Sequence, residues 1–177
     1  MSNGFSGFFD NVLSLPMISR IRRNHGLEHA TLHILSERFP GTPMAGHSTS
    51  GGFRIIGAVP EEAVQSAVND ALARMKAGEY GLAVHPNCGT NFATAGVMAG
   101  FAGAAAMFGA GRRMRDKLER LPLAASLATL ALIFSQPLGL LLQAHVTTDG
   151  HPGDLEVVGI TTLHRKNMNI HRIITRG

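Results

Sequence analysis

The sequence has little cysteine and little charge. A single cysteine, Cys88, excludes an intrachain disulfide framework and a zinc module built from four cysteines. Only 16% of the 177 residues are charged and 45% are hydrophobic, whereas a soluble globular domain carries ~25% charged residues. Disordered chains show the opposite balance, so disorder is excluded as the main state. Tryptophan is absent and tyrosine occurs once, while glycine (21) and histidine (9) are abundant.

The positive charge is concentrated in one short segment. The formal net charge of +4 comes from 16 Lys and Arg against 12 Asp and Glu. Five of these cations fall within the nine residues RRMRDKLER, Arg112–Arg120. Because the basic residues are confined in this way, they do not predict a nucleic-acid-binding surface.

Two long uncharged runs flank this basic segment. No Asp, Glu, Lys or Arg occurs from Tyr80 to Gly111, and the apolar part, Phe92–Gly111, has 20 residues. That length is what a helix needs to cross a hydrocarbon core of ~30 Å. A second run, Leu121–Thr148, has its apolar core at Leu123–Leu142. Two such runs in tandem predict a transmembrane helical hairpin at residues 92–142.

Small residues line both predicted spans. They are Ala95, Gly96, Ala99, Gly100 and Gly103 on the first, and Ala124, Ala128, Ala131 and Ser135 on the second. Lipid provides no hydrophobic drive for helix pairing, so dispersion contacts through small residues must provide it. The pattern predicts that the spans pack together, or that Gly96, Gly100 and Gly103 mediate self-association or contact other membrane subunits.

Residues 1–23 are predicted to be an interfacial amphipathic segment that places Phe5, Phe8 and Phe9 against lipid. A hairpin brings both chain ends to one face of a bacterial cell membrane. The basic loop favours a cytoplasmic loop, but nothing near residue 1 resembles a cleavable signal peptide that would export the flanking residues. The sequence therefore predicts an integral membrane protein and leaves its sidedness open.

The residues that flank the hairpin, 24–91 and 145–177, are predicted to form one small extramembrane α+β domain. Proline followed by two glutamates at residues 60–62 opens a helix, and Ser50-Gly51-Gly52 is typical of a hairpin turn. The predicted elements are helices at 22–38 and from 60 onward, and strands at 45–49, 53–59, 82–84, 155–163 and 168–175.

The segment HGLEHATLH places three histidines at helical spacing. His25, His29 and His33 lie four residues apart, so they form one stripe on the predicted helix. Neighbours in the stripe are ~5–6 Å apart at Cβ, close enough to share a metal ion. The outer pair is separated by ~12 Å of helix rise, so at most two of the three can bind one ion.

The same segment contains the pattern His25-x-x-Glu28-His29. It matches the inverted zinc-peptidase signature, in which two histidines bind zinc and the glutamate acts on water. Glu28 is thus the candidate catalytic residue of a zinc-dependent hydrolase.

Further ligands can come from the residues that border the predicted hairpin. His85 and Cys88, in HPNCGTN, precede the first span, and His145 follows the second. We expect His29 to lie within metal-bridging or hydrogen-bonding reach of at least one of them. A hydrogen-bonded polar network explains the same residues without a metal, and the turn formers of HPNCGTN also suit the entry to a helix, with Thr90 or Asn91 as N-cap.

At these motifs the chain resembles a family of small two-span bacterial membrane proteins whose domain has no assigned function. The pattern comprises HGLEHAT, a Ser/Thr-Gly-Phe hairpin, and HPNCGTN leading into paired spans, and it covers residues 24–148. The resemblance implies a membrane location and brings no activity with it.

The leading functional hypothesis is an accessory or scaffold subunit of a larger membrane assembly, with a histidine-rich metal or polar site. If a metal is bound, zinc suits the candidate ligands best. The alternatives are a membrane-bound zinc hydrolase that uses His25, Glu28 and His29, and ligation of a haem or chlorophyll-type macrocycle by an interfacial histidine.

Overall fold

The computed structural model describes Gly7 and residues 11–177 of the chain. The main elements, in chain order, are α1 (Pro16–Arg38), β1 (Met44–Thr49), β2 (Gly52–Gly57), α2 (Glu61–Lys76), α3 (Gly89–Met107), α4 (Met114–Leu142), β3 (Glu156–Arg165) and β4 (Met168–Arg176). A 3₁₀ turn, Tyr80–Ala83, precedes α3, and a π turn, Gln143–Thr147, follows α4 directly. The predicted α+β class is confirmed.

The chain divides into two compact units. The α+β unit comprises residues 1–85 and 143–177, and the helical unit comprises residues 86–142. The helical unit is therefore an insertion in the α+β unit, joined to it at 85/86 and at 142/143.

Helix α1 begins six residues before its predicted start at residue 22. Pro16 occupies its first turn, where a missing N–H costs nothing because that group has no partner within the helix. Phe5, Phe8 and Phe9 of the predicted interfacial segment lie outside the described residues, so that segment stays a prediction.

The sheet is antiparallel, with the strand order β1-β2-β4-β3. Both predicted strand pairs are present, and the predicted turn at Ser50-Gly51-Gly52 joins β1 to β2. The predicted strand at residues 82–84 is wrong, because most of it belongs to the 3₁₀ turn. The main-chain carbonyls of Ala83 and Val84 accept hydrogen bonds from histidine rings of α1 instead of pairing with a strand.

The core lies between the sheet and the two helices of the α+β unit. Its fully or almost fully buried side chains include Leu27, Leu35, Phe53, Ile55, Val64, Val68, Met75, Leu155 and Ile173. Burial of each of these side chains contributes ~1.5–3 kcal/mol. The alternate residues of the strands, such as Arg54, Thr161 and Arg172, are exposed, and this side of the sheet is named the outer face.

Buried polar groups connect α1 to the sheet. The Asn24 side chain is 0% exposed. Its Nδ2 donates to the Thr49 carbonyl over 2.9 Å, and its Oδ1 accepts from Thr175 Oγ1 over 2.7 Å. One amide thus joins α1 to β1 and β4.

Within the helical unit, α3 and α4 pack against each other. The predicted stripe on α4 lies on the packed side, since Ala124, Ala128 and Ala131 are partly covered and Ser135 is buried. On α3 the glycines take no part in close packing. Among the described residues, a Cβ added at Gly96, Gly100 or Gly103 meets nothing within 4 Å.

The predicted two-helix transmembrane hairpin is corrected by the structure. Among the described residues, one helix, Met114–Thr147, is long and apolar enough to cross a membrane, and 11% of its apolar window is buried. Helix α3 ends at Met107, four residues before the end of the apolar run, and it begins with Gly89, Thr90 and Asn91. The remaining residues of α3 are largely alanine and glycine, which are only weakly apolar. The absence of charge from this run therefore overstates the capacity of α3 to span a membrane.

Helices α3 and α4 approach each other closely at Gly139, so a larger residue at this position should destabilise their packing. A Cβ added at Gly139 would lie 2.5 Å from Asn91 Oδ1 and 3.1 Å from Asn91 Cα. Since backbone must move, Gly139→Ala should destabilise the helical unit by ~1–3 kcal/mol. Thermal unfolding in mild detergent would measure this. Gly100→Ala is the control, and equal unfolding temperatures for the two variants would contradict the packing.

Candidate metal centre

Helix α1 presents three histidines to the segment that precedes α3. His29 is 2% exposed, and His25 and His33 are partly buried beside it. The helix can approach this part of the unit closely because residue 26 is glycine, where a Cβ would lie 2.3 Å from the Asp149 carbonyl oxygen.

Each of the three rings is held by a main-chain carbonyl. His25 Nδ1 lies 2.9 Å from the Thr147 oxygen, His29 Nδ1 lies 2.7 Å from the Ala83 oxygen, and His33 Nε2 lies 2.8 Å from the Val84 oxygen. Because a carbonyl can only accept, these ring nitrogens carry the protons. In the neutral ring the other nitrogen then has the lone pair, which is the arrangement of a metal-binding histidine.

His85 completes a group of four imidazoles, named the histidine cluster: His25, His29, His33 and His85. The ring centroids of His29 and His85 are 5.7 Å apart, and those of His33 and His85 are 4.6 Å apart. The rings of His25 and His29 meet edge to face at 4.3 Å, with one nitrogen of each within 4.8 Å of the other.

These separations can be compared with the needs of a zinc ion. Two imidazoles on one tetrahedral zinc, with Zn–N bonds of ~2.0–2.1 Å, have centroids roughly 5 Å apart. The pairs of the cluster bracket this value. The chemistry of the donors also fits, because neutral imidazole is a common zinc ligand.

The protonation state of His85 suits the same role. Its burial, and then the nearby His33 and His29, lower the pKa of His85 from 6.5 to about 4. The ring is therefore neutral near pH 7, and no proton competes with a metal ion for it.

The π turn that follows α4 positions two members of the cluster. The fully buried Gln143 accepts the backbone N–H of His85 at 2.9 Å through its side-chain oxygen, and the Thr147 carbonyl holds His25. Arg22 fixes the turn in place, because its guanidinium donates to the carbonyls of His145, Val146 and Thr148 over 2.8–3.1 Å. π turns occur frequently at functional sites.

Glu28 lies against the sheet. Its carboxylate, on a residue 4% exposed, accepts a 2.5 Å hydrogen bond from Ser48 Oγ on β1. Its side-chain atoms also fill the space beside Gly46, where a Cβ would meet them. The close contact between the Glu28 side chain and β1 explains why residue 46 is a glycine.

The other two predicted metal ligands, Cys88 and His145, differ in their surroundings. Cys88 is buried and is the N-cap of α3, where its Sγ accepts from the Thr90 N–H at 3.4 Å. The predicted caps, Thr90 and Asn91, thus lie two and three residues after the observed N-cap. His145 is exposed, and its backbone carbonyl contacts Arg22. For both residues, metal binding stays a prediction.

Sequence reasoning missed Gln143, Thr147 and Arg22. A glutamine that closes an apolar run, two residues before a histidine, is the one signal that could have indicated Gln143. The roles of Thr147 and Arg22 depend on hydrogen bonds to partners more than 100 residues away along the chain, and local sequence carries no trace of them.

The buried histidines predict how the stability of the metal-free protein depends on pH. Burial also lowers the pKa of His171, whose Nε2 donates to the Val59 carbonyl at 3.1 Å. Between pH 6.5 and about 4 the unfolded chain binds a proton that the folded chain excludes from His85, and the lowered pKa of His171 acts in the same direction. Stability should therefore be complete above pH 6.5 and fall as the pH is lowered. Urea unfolding at stepped pH measures it, and His85→Gln should flatten the profile; a rise in stability on acidification would contradict it.

Comparison with known proteins confirms one part of the resemblance noted from the sequence, namely that the chain belongs to a family without an assigned function. A family model described as a domain of unknown function, DUF6391, matches residues 20–160. A protein of Picosynechococcus sp. (strain ATCC 27264 / PCC 7002 / PR-6), described as uncharacterised, is 36% identical over 149 residues, which are 78% of this chain and 71% of that protein. No solved structure matches the chain. The matched region contains most of α1, the whole helical unit and the whole histidine cluster, and the chain belongs to the DUF6391 family.

Proposed function

We propose that the protein is a membrane-anchored accessory protein whose α+β unit binds a transition-metal ion, with zinc as the best fit, in the histidine cluster. The observation that carries this proposal is the arrangement of the rings. His29, the central ring, gives one N–H to the Ala83 carbonyl, and the rings of His25 and His85 lie 4.3 and 5.7 Å from it.

Burial supports the membrane anchor. The core helix of a soluble protein is covered by its neighbours, whereas 11% of the apolar window of Met114–Thr147 is buried. Its exposed side chains include Leu130, Leu132, Ile133, Phe134 and Leu141. An exposed apolar surface of this size requires lipid or another apolar partner.

The surroundings of Glu28 favour a structural or accessory metal over a hydrolytic one. A catalytic glutamate must reach the water that the metal activates, but this carboxylate bonds to Ser48 on β1. A macrocycle is also a poor fit at His29, because the buried ring has imidazoles at 4.3 and 5.7 Å where an open face would be needed.

Alkaline extraction tests the anchor. We expect carbonate-washed membranes to retain the full-length protein. Leu130→Arg should release a large fraction into the supernatant, because a charge near the centre of a span costs ~2.5–3.5 kcal/mol on insertion scales. Glu119→Arg, at the exposed start of α4, is the control and should stay in the membrane. Complete release of the unmutated protein by carbonate would refute the anchor.

A further inference from the structure

Two arginines face each other across the middle of the outer face. Arg54 on β2 and Arg172 on β4 are directly opposite in the strand register. His47 pairs with Arg54 on one side, and Thr161 pairs with Arg172 on the other, so one row crosses all four strands. Arg54, Arg172 and Thr161 are exposed.

The row has no acidic partner in the part of the chain that the structure describes. No ion pair or side-chain hydrogen bond is formed there by Arg54 or Arg172, and the nearest acid in the register, Glu156, is opposite Arg176 at the end of β4. Like charges placed directly opposite in an antiparallel pair destabilise a sheet. An anion bound between the two guanidinium groups would remove this repulsion.

The surface around the arginines is apolar. A groove of about 390 Å³ is lined by Arg54, Thr161, Thr162, Leu163, Ile170 and Arg172. Leu163 is 53% exposed, although it is a large aliphatic side chain on a strand. Guanidinium groups beside aliphatic side chains suit a ligand that has an anionic group and an apolar part.

We propose that the outer face binds the headgroup of an anionic phospholipid, with the phosphate between Arg54 and Arg172 and a hydrogen bond from the Thr161 hydroxyl. Arginine binds phosphate through two parallel N–H bonds, and Leu163 and Ile170 lie where the glycerol and the first acyl carbons would follow. The proposal rests on the membrane anchor of the proposed function. The α+β unit resumes at Gln143 directly after α4, so an α4 that is inserted in a membrane tethers this unit to a lipid surface.

The test uses full-length protein in a neutral detergent, with thermal unfolding followed by circular dichroism. Phosphatidylglycerol, phosphatidylcholine and inorganic phosphate are titrated separately at constant ionic strength. We expect a saturable rise in the unfolding temperature with phosphatidylglycerol only. Arg54→Gln combined with Arg172→Gln should raise the half-saturating lipid concentration at least ~10-fold, since each basic residue near an anionic surface contributes ~1 kcal/mol and ~1.4 kcal/mol corresponds to a factor of ten.

Lys76→Gln combined with Lys166→Gln is the matched control, because it removes the same charge from exposed positions outside the groove and should bind like the unmutated protein. Equal binding by the arginine double variant would overturn the proposal, as would equal effects of the two lipids. Saturation by inorganic phosphate alone would assign the site to a free anion instead. The arginine double variant should stay in carbonate-washed membranes like the unmutated protein, because the anchor is α4. Carbonate extraction therefore tests the anchor alone, and the lipid titration tests the lipid site.

Discussion

Replacing His29 by alanine is expected to reduce the affinity for zinc by at least ~100-fold. His29 is the central ring of the cluster, with His25 at 4.3 Å and His85 at 5.7 Å, so its loss leaves no adjacent pair that includes His25. Loss of a group that merely orients a ligand costs ~10–100-fold, and loss of the ligand itself should cost more. Competition with a chromogenic chelator, on protein in mild detergent, measures the affinity.

Two neighbouring substitutions give the controls for His29→Ala. Glu28→Gln should retain zinc, because this side chain bonds to Ser48 and is assigned no role in binding the metal. His47→Ala removes an exposed histidine on the outer face and should have no effect. Zinc affinity that is unchanged in His29→Ala, or reduced equally in all three variants, would contradict the assignment.

Replacing Asn24 by leucine is expected to lower the free energy of unfolding by ~2–4 kcal/mol. The substitution leaves the Thr49 carbonyl and the buried Thr175 hydroxyl without their partner. Each unsatisfied buried group costs ~1–3 kcal/mol. Because Asn24 is fully buried and joins α1 to two strands, water cannot replace the lost bonds. Chemical denaturation followed by circular dichroism measures the change.

Thr175→Val provides the internal check on this network. It removes one of the two bonds, so its cost should be smaller, and the double variant should be less destabilised than the sum of the two single variants. Thr161→Val, on the exposed outer face, should have little effect. Additive costs for Asn24 and Thr175 would show that the two side chains do not act as a unit.

The elements that local sequence determines were predicted well. The Ser50-Gly51-Gly52 turn identifies the hairpin of β1 and β2, and Pro60 with two glutamates identifies the start of α2 to within one residue. The errors arise where tertiary contacts decide. Residues 82–84 have strand-like side chains, but their carbonyls serve the rings of His29 and His33. The first apolar run has the length of a span, but α3 uses only part of it.

The candidate metal centre was predictable only in part, because local sequence determines the spacing of its histidines but not the groups that orient their rings. Helical spacing brings His25, His29 and His33 to one face of α1. The ring of His85 lies 5.7 Å from that of His29, and the expectation that the two share a metal ion stays a prediction. The carbonyls of Ala83, Val84 and Thr147 that orient the rings come from turns whose positions depend on the whole α+β unit. No local pattern encodes such partners.

The most direct measurement is the metal content of the unmutated full-length protein, purified in mild detergent without chelators or a histidine tag and analysed by mass spectrometry of the elements. The histidine cluster predicts about one zinc or other transition-metal ion per chain, lost in His29→Ala and kept in Glu28→Gln. A metal content near zero, which zinc added before purification does not raise, would contradict a metal centre and leave the cluster as a hydrogen-bonded network of neutral histidines.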